Sequence, residues 1–82
     1  MNELGSNVLK AMESSSLGRM SIYVLSKQSS DLGLDLEHLE PRDVARLSTR
    51  LKTVLPFFLG DETDEVLMQI RRIANHEGMV TT

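Results

Sequence analysis

The residues best suited to chemistry are two histidines, and neither stands in a pattern that chemistry requires. His38 lies between Glu37 and Leu39, and His76 lies near the end of the chain. Neither belongs to a metal-binding spacing such as H-x-x-x-H or H-E-x-x-H. The chain has no cysteine, which excludes disulfides, thiolate metal sites and thiol catalysis. We therefore predict no catalytic residue and no metal site at these positions.

A run of acidic residues after Gly60 is the second place where a metal could bind. The run contains Asp61, Glu62, Asp64 and Glu65. A calcium loop of the EF-hand type needs oxygen ligands at alternate positions over twelve residues, with a glycine in the middle. Here the glycine precedes the acids, and the run passes directly into a helical pattern. Carboxylates in the first turn of a helix interact favourably with the helix dipole, so we interpret the run as the start of a helix.

Motifs for catalysis and for cofactor binding are missing from the sequence. Serine is plentiful, but no G-x-S-x-G nucleophile turn occurs. No G-x-G-x-x-G or G-K-[ST] phosphate loop occurs either. The prediction is therefore a protein that is not an enzyme and that needs no cofactor.

A row of arginines is the sharpest candidate for a binding surface. Arg42, Arg46 and Arg50 are spaced by four, which places them on one side of a helix. The row is either a solvated helix face, a partner for the acidic residues 31–40 or 61–65 of another subunit, or a contact for DNA. A net charge of −3 and a connector longer than a helix-turn-helix turn oppose the DNA interpretation, which stays the alternative.

Apolar periodicity predicts four helices and no strand. The predicted helices lie within residues 1–16, 17–33, 41–55 and 61–78. The helix over 17–33 has the widest apolar arc, so we expect it to lie at the centre. The fold class predicted is all-α, a small bundle of four helices with a central apolar helix and no β-sheet. Gly33, Gly60 and Gly78 are the expected helix ends.

Two boundaries stay open, and the chain length allows one domain. The first two helices either separate at the serines 14–16 or run on with a kink. Pro56 either ends the third helix or kinks it, with continuation to Leu59. We predict a single helical domain over 1–82, with an ordered core over about 6–77 and a frayed tail over 79–82.

The composition is that of a small protein which gains from a partner. A chain of 82 residues has a small core, and without cysteine it has no disulfide to stabilise it. Association would bury more surface, and we predict a homodimer. No apolar run approaches the length of a membrane span, and the start lacks the features of a signal peptide. We expect a cytoplasmic protein with no membrane contact.

The aromatic residues are the first candidates for the association surface. Phe57 and Phe58 follow the Pro56 break, and either they are exposed at the interface or they belong to the core. Tyr23 is the second candidate, since it lies on the more polar side of its helix. A ligand-binding bundle is another class of function. It would place a cavity between methionines, at Met12, Met20 and Met68.

Leucine-glycine pairs at helix ends give the chain a pattern that resembles a known group of domains. The pairs are Leu17-Gly18, Leu32-Gly33 and Leu59-Gly60, with a helix opened by Pro41 and a last helix containing Ile70 and Ile73. Over about residues 8–74 this is similar to the small all-helical output domains that accompany archaeal two-component signalling proteins. The resemblance implies a signalling or interaction module without catalytic residues, and a signalling protein as a partner. Pro56 before two phenylalanines departs from the pattern.

Overall fold

The computed structural model describes the backbone of residues 1–80 and the side chains of residues 1–76. In this part of the chain the backbone forms five α-helices and one 3-10 turn, and no strand. The elements are α1 (Glu3–Glu13), the 3-10 turn (Gly18–Met20), α2 (Ser21–Asp31), α3 (Pro41–Val54), α4 (Pro56–Leu59) and α5 (Glu62–Val80). Since α4 is a single turn, the all-α prediction with four principal helices is confirmed.

Helix α1 begins earlier than the ordered core predicted from residue 6. The side chain of Asn2 caps it by accepting a hydrogen bond of 2.9 Å from the backbone N–H of Gly5. The helix ends at Glu13, where the hydroxyl of Ser14 donates back to the carbonyl of Lys10. A turn then leads to Gly18, whose φ of 50° no L-residue adopts readily. The first two helices are therefore separate.

Helix α3 ends at Val54, just before Pro56, and the helical path continues beyond the proline as a separate turn. Leu55 keeps right-handed dihedrals and donates its N–H to the carbonyl of Leu51 at 2.8 Å. The N–H of Leu59 donates to the carbonyl of Leu55 at 2.8 Å, so one further turn follows the proline. Gly60, with φ of 55°, closes this turn as predicted. The result is a short helix, α4, set after the end of α3.

Helix α5 extends further than predicted. It continues through Gly78, the expected stop, to Val80. Glycine lowers helix propensity without forbidding the helix, which is why this prediction was wrong. The predicted frayed tail over 79–82 lies outside the described residues, apart from the helical backbone of 79 and 80.

The core lies where α5 packs against α3 and α1. It is aliphatic, and its largest fully buried members are Met12, Leu25, Leu47, Leu51, Leu55 and Ile70. Helix α2 contacts α1 and α3, and its packing against them is less extensive. Helix α5, and not the helix over 17–33, is therefore the one against which most of the bundle packs.

The buried side of α2 differs from the predicted apolar arc. Its buried residues are Ser21, Val24, Leu25, Gln28 and Ser29, a regular i, i+3, i+4, i+7 stripe. Three of the five are polar, and two of these are small serines. Met20, which the prediction placed inside, is 50% exposed. The helical period and the burial of Val24 and Leu25 were predicted correctly, while the exposure of Met20 and the burial of polar residues were not.

Candidate functional site

All three aromatic side chains of the protein are exposed. Phe57 is 88% exposed, Tyr23 is 69% exposed and Phe58 is 53% exposed. The core therefore contains no aromatic ring among the described residues. Tyr23 and Phe58 line a shallow apolar depression of about 250 Å³, to which Val54 also contributes. We call Tyr23, Val54, Phe57 and Phe58 the aromatic surface.

The turn of α4 explains why the two phenylalanines point outward. Positions 55 and 59 lie one helical turn apart on the same side of the chain. Leu55 is fully buried and Leu59 is half-buried, so these leucines take the inward positions. Phe57 and Phe58 lie between them and face solvent. The interpretation in which the phenylalanines belong to the core is therefore excluded.

The arginine row has partners within the chain. Arg50 donates its Nε–H to the side-chain oxygen of Gln28 at 2.8 Å and lies 3.7 Å from a carboxylate oxygen of Asp31. Arg46 donates to the carbonyl of Leu32 at 3.2 Å. These contacts place positive charge at the C-terminal end of α2, where the helix dipole favours it.

The first arginine of the row is also paired locally. Arg42 forms an ion pair of 2.9 Å with Glu40, just before its own helix. The row is thus accounted for by contacts with α2 and with the connector before α3. Contact of the row with DNA or with an acidic segment of another subunit stays a prediction.

His38 forms an exposed pair with Asp35 in the connector before α3. Its Nδ1 lies 2.8 Å from a carboxylate oxygen of Asp35. The hydrogen bond and the charge of Asp35 raise the pKa of His38, and the same hydrogen bond lowers the pKa of Asp35. Both side chains are exposed. His76 lies on α5 and is also exposed.

An open cleft of about 550 Å³ lies between α3 and α5. Its lining includes Arg42, Arg71, Asn75 and Ser48. The Ser48 hydroxyl is buried and has no hydrogen-bond partner within the described residues. Without a neighbouring base it is not activated as a nucleophile. No group of three or more His, Asp or Glu side chains in the described part of the chain is arranged to hold a metal ion.

The methionines do not form a cavity. Met12 is fully buried in the core, whereas Met20 is 50% exposed and Met68 is 46% exposed. The predicted methionine-lined ligand cavity is therefore not present in this arrangement. The exposure of Met68, on the outer side of α5, was not predicted from the sequence.

Comparison of the chain with protein-family models, with curated proteins and with solved structures finds no match. The resemblance to archaeal output domains therefore stays a prediction. Among the described helices, none combines the length and the apolar composition that crossing a membrane requires.

Proposed function

We propose that this chain is a non-enzymatic protein–protein interaction module, of the signalling-output kind, which self-associates. The observation that supports it best is the position of the aromatic side chains. Phenylalanine is a residue that folding normally buries, and a small protein has few ways to build a core. Here both phenylalanines and the tyrosine are exposed. A contact with another protein is the simplest use of such a surface.

The shape and polarity of the aromatic surface fit a protein partner better than a small molecule. The depression beside Tyr23 and Phe58 is shallow and open, while small-molecule sites are deep enough to enclose most of a ligand. Lys27 and Gln28 also line it, so polar side chains accompany the apolar ones. Aromatic residues at the centre with polar groups around them are typical of protein interfaces.

Photo-crosslinking from the aromatic surface tests the proposal. Benzoylphenylalanine is incorporated in place of Phe57, and the protein is irradiated in its native cells. The same analogue in place of Lys10, an exposed residue of α1, is the matched control. We expect a discrete adduct from position 57 that is absent from position 10. The change Phe58→Ser should reduce this adduct, since it removes the neighbouring ring.

The mass of the adduct identifies the kind of partner. An adduct of twice 9.2 kDa means that the aromatic surface contacts a second copy of the chain. A larger discrete adduct means a different protein, as expected of a signalling module. If position 57 yields no adduct beyond that of position 10, the aromatic surface is not an interaction site and the proposal fails.

A further inference from the structure

The outer side of α5 has a charge pattern that is complementary to itself. Five exposed residues form one stripe along this helix: Asp64, Glu65, Met68, Arg71 and Arg72. Their spacing of three and four keeps them within about 120° around the helix axis. Two acids lie on one side of Met68 along the helix, and two arginines lie on the other. We call these five residues the α5 stripe.

The two halves of the α5 stripe are placed symmetrically about Met68. The acids precede it by three and four positions, and the arginines follow it by three and four. Each charged pair therefore lies about 4.5–6 Å from Met68 along the axis. When two such helices pack antiparallel about a two-fold axis at Met68, the acids of each face the arginines of the other. Four opposite-charge contacts then surround two methionines.

The charges of the α5 stripe have no ion-pair partners in the described part of the chain. The ion pairs that the structure contains all lie elsewhere, in residues 1–50. Only Glu65 receives a side-chain hydrogen bond, of 3.3 Å, from Gln69 on its own helix. Within α5 the acids and arginines are six to eight positions apart, too far for i, i+4 pairs. Their charges are thus available to another molecule.

The surface beside the α5 stripe is concave. An open cleft of about 450 Å³ runs between α3 and α5 at this point. Its lining combines Met68 with charged residues of both signs, which are Asp64, Arg71, Arg72 and, from α3, Lys52. A concave surface with an apolar centre and charges of both signs suits a helix that has the same charges in the opposite order.

We infer that the protein forms a two-fold symmetric dimer in which the α5 stripes of two copies pack antiparallel, with Met68 at the axis. This inference rests on the proposed self-association but not on the aromatic surface. The helix dipole favours acids at the start of a helix and arginines near its end, so the order of the signs alone does not imply pairing. Pairing is implied by their position on one outward stripe, their symmetry about Met68 and their lack of ion-pair partners among the described residues.

Two complementary variants test the inference. Asp64→Arg with Glu65→Arg makes the stripe entirely basic, and Arg71→Glu with Arg72→Glu makes it entirely acidic. Each variant alone places like charges opposite each other, and we expect its dimer dissociation constant to rise about tenfold or more. An equal mixture of the two restores opposite charges at all four contacts. We expect the mixture to form a heterodimer with an affinity close to that of the wild type.

Matched control variants separate the stripe from the effect of net charge. Glu3→Arg with Glu13→Arg gives the same net charge as the basic variant, from exposed residues of α1. Lys10→Glu with Arg19→Glu matches the acidic variant in the same way. Both controls should dimerise like the wild type. Sedimentation equilibrium measures the dissociation constants, and circular dichroism establishes that each variant is folded.

Disulfide linkage between two copies tests the inference where a charge variant does not fold. Met68→Cys introduces the only thiol of the chain. At a two-fold axis the two thiols lie close together, so oxidation should link the chains quickly. Ser26→Cys, at an exposed position of α2, is the control and should link slowly.

The outcomes separate this inference from the proposed function. A wild type that is monomeric at all concentrations overturns the dimer, while crosslinking from Phe57 still decides the aromatic surface. A dimer that the basic and acidic variants leave intact overturns the α5 stripe alone. Equal rates of linkage at positions 68 and 26 overturn it as well.

Discussion

Replacing Phe57 by serine is expected to leave the free energy of unfolding almost unchanged, although it removes one of only two phenylalanines. The residue is 88% exposed, so about an eighth of its surface is buried. Full burial of a phenylalanine contributes about 1.5–3 kcal/mol, which makes the expected loss about 0.2–0.4 kcal/mol. Serine and phenylalanine have similar helix propensities, so the backbone adds little to this difference.

Urea denaturation followed by circular dichroism measures the effect, with Leu55→Ala as the comparison. Leu55 lies two residues earlier and is fully buried. Its truncation should lower the free energy of unfolding by about 2–5 kcal/mol, enough to unfold much of a small domain. If Phe57→Ser costs more than about 1 kcal/mol, the ring packs against the fold and is not free for a partner. If Leu55→Ala costs less than Phe57→Ser, the assignment of inward and outward positions around Pro56 is wrong.

Two further changes test the connector and a helix end. Asp35→Asn should lower the pKa of His38 toward the ordinary value of 6.5, because the hydrogen bond and the charge of Asp35 raise it. Titration followed by nuclear magnetic resonance measures this pKa. An unchanged pKa would refute the pairing of His38 with Asp35. Since the pKa of His38 is raised and that of Asp35 lowered from 3.8, the pair stabilises the fold most between about pH 3.8 and 6.5. Its contribution declines as the pH rises through the pKa of folded His38 or falls through that of folded Asp35. Gly33→Ala should lower the free energy of unfolding, measured by urea denaturation, by about 1–2 kcal/mol, because φ is +72° there. Apart from the adjacent residues, no atom lies within 4 Å of the added carbon, so the cost comes from the backbone conformation. A neutral result would mean that the backbone relaxes freely.

The helix ends were predictable where a local signal sets them. Gly33 and Gly60 take positive φ, at the places where the sequence indicates that helices stop. Pro41 begins α3 as expected of a proline in the first turn. Gly78 was also an expected helix end, but it lies within α5, because a glycine can be accommodated inside a helix. Residue type alone does not distinguish these two cases.

The buried face of α2 was not predictable from hydrophobicity. Ser21, Gln28 and Ser29 are buried, while Met20 next to them is exposed. A sequence pattern assigns apolar residues to the interior, so it fails where small polar residues give a helix its contact surface. The orientation of α2 depends on its packing against α1 and α3, which the residue pattern within α2 does not contain.

The candidate surfaces were predictable to different degrees. The sequence left two alternatives for Phe57 and Phe58, exposure at an interface or burial in the core. The inward positions of Leu55 and Leu59 decide for exposure. The arginine row was correctly placed on one helix face, but its partners were not foreseen. Arg50 and Gln28 are 22 positions apart, and no local pattern relates them.

The two proposed surfaces, the aromatic surface and the α5 stripe, lie beside opposite sides of α3. Val54 belongs to the aromatic surface, while Lys52 lines the cleft beside the α5 stripe. These residues are two positions apart, or about 200° around the helix. Pairing through α5 therefore leaves both aromatic surfaces of the dimer free. A dimer would offer two identical contacts to a partner with two sites, and its second contact would form at a high effective concentration. Charge variants of the α5 stripe should then weaken binding to such a partner, although they leave the aromatic surface unchanged.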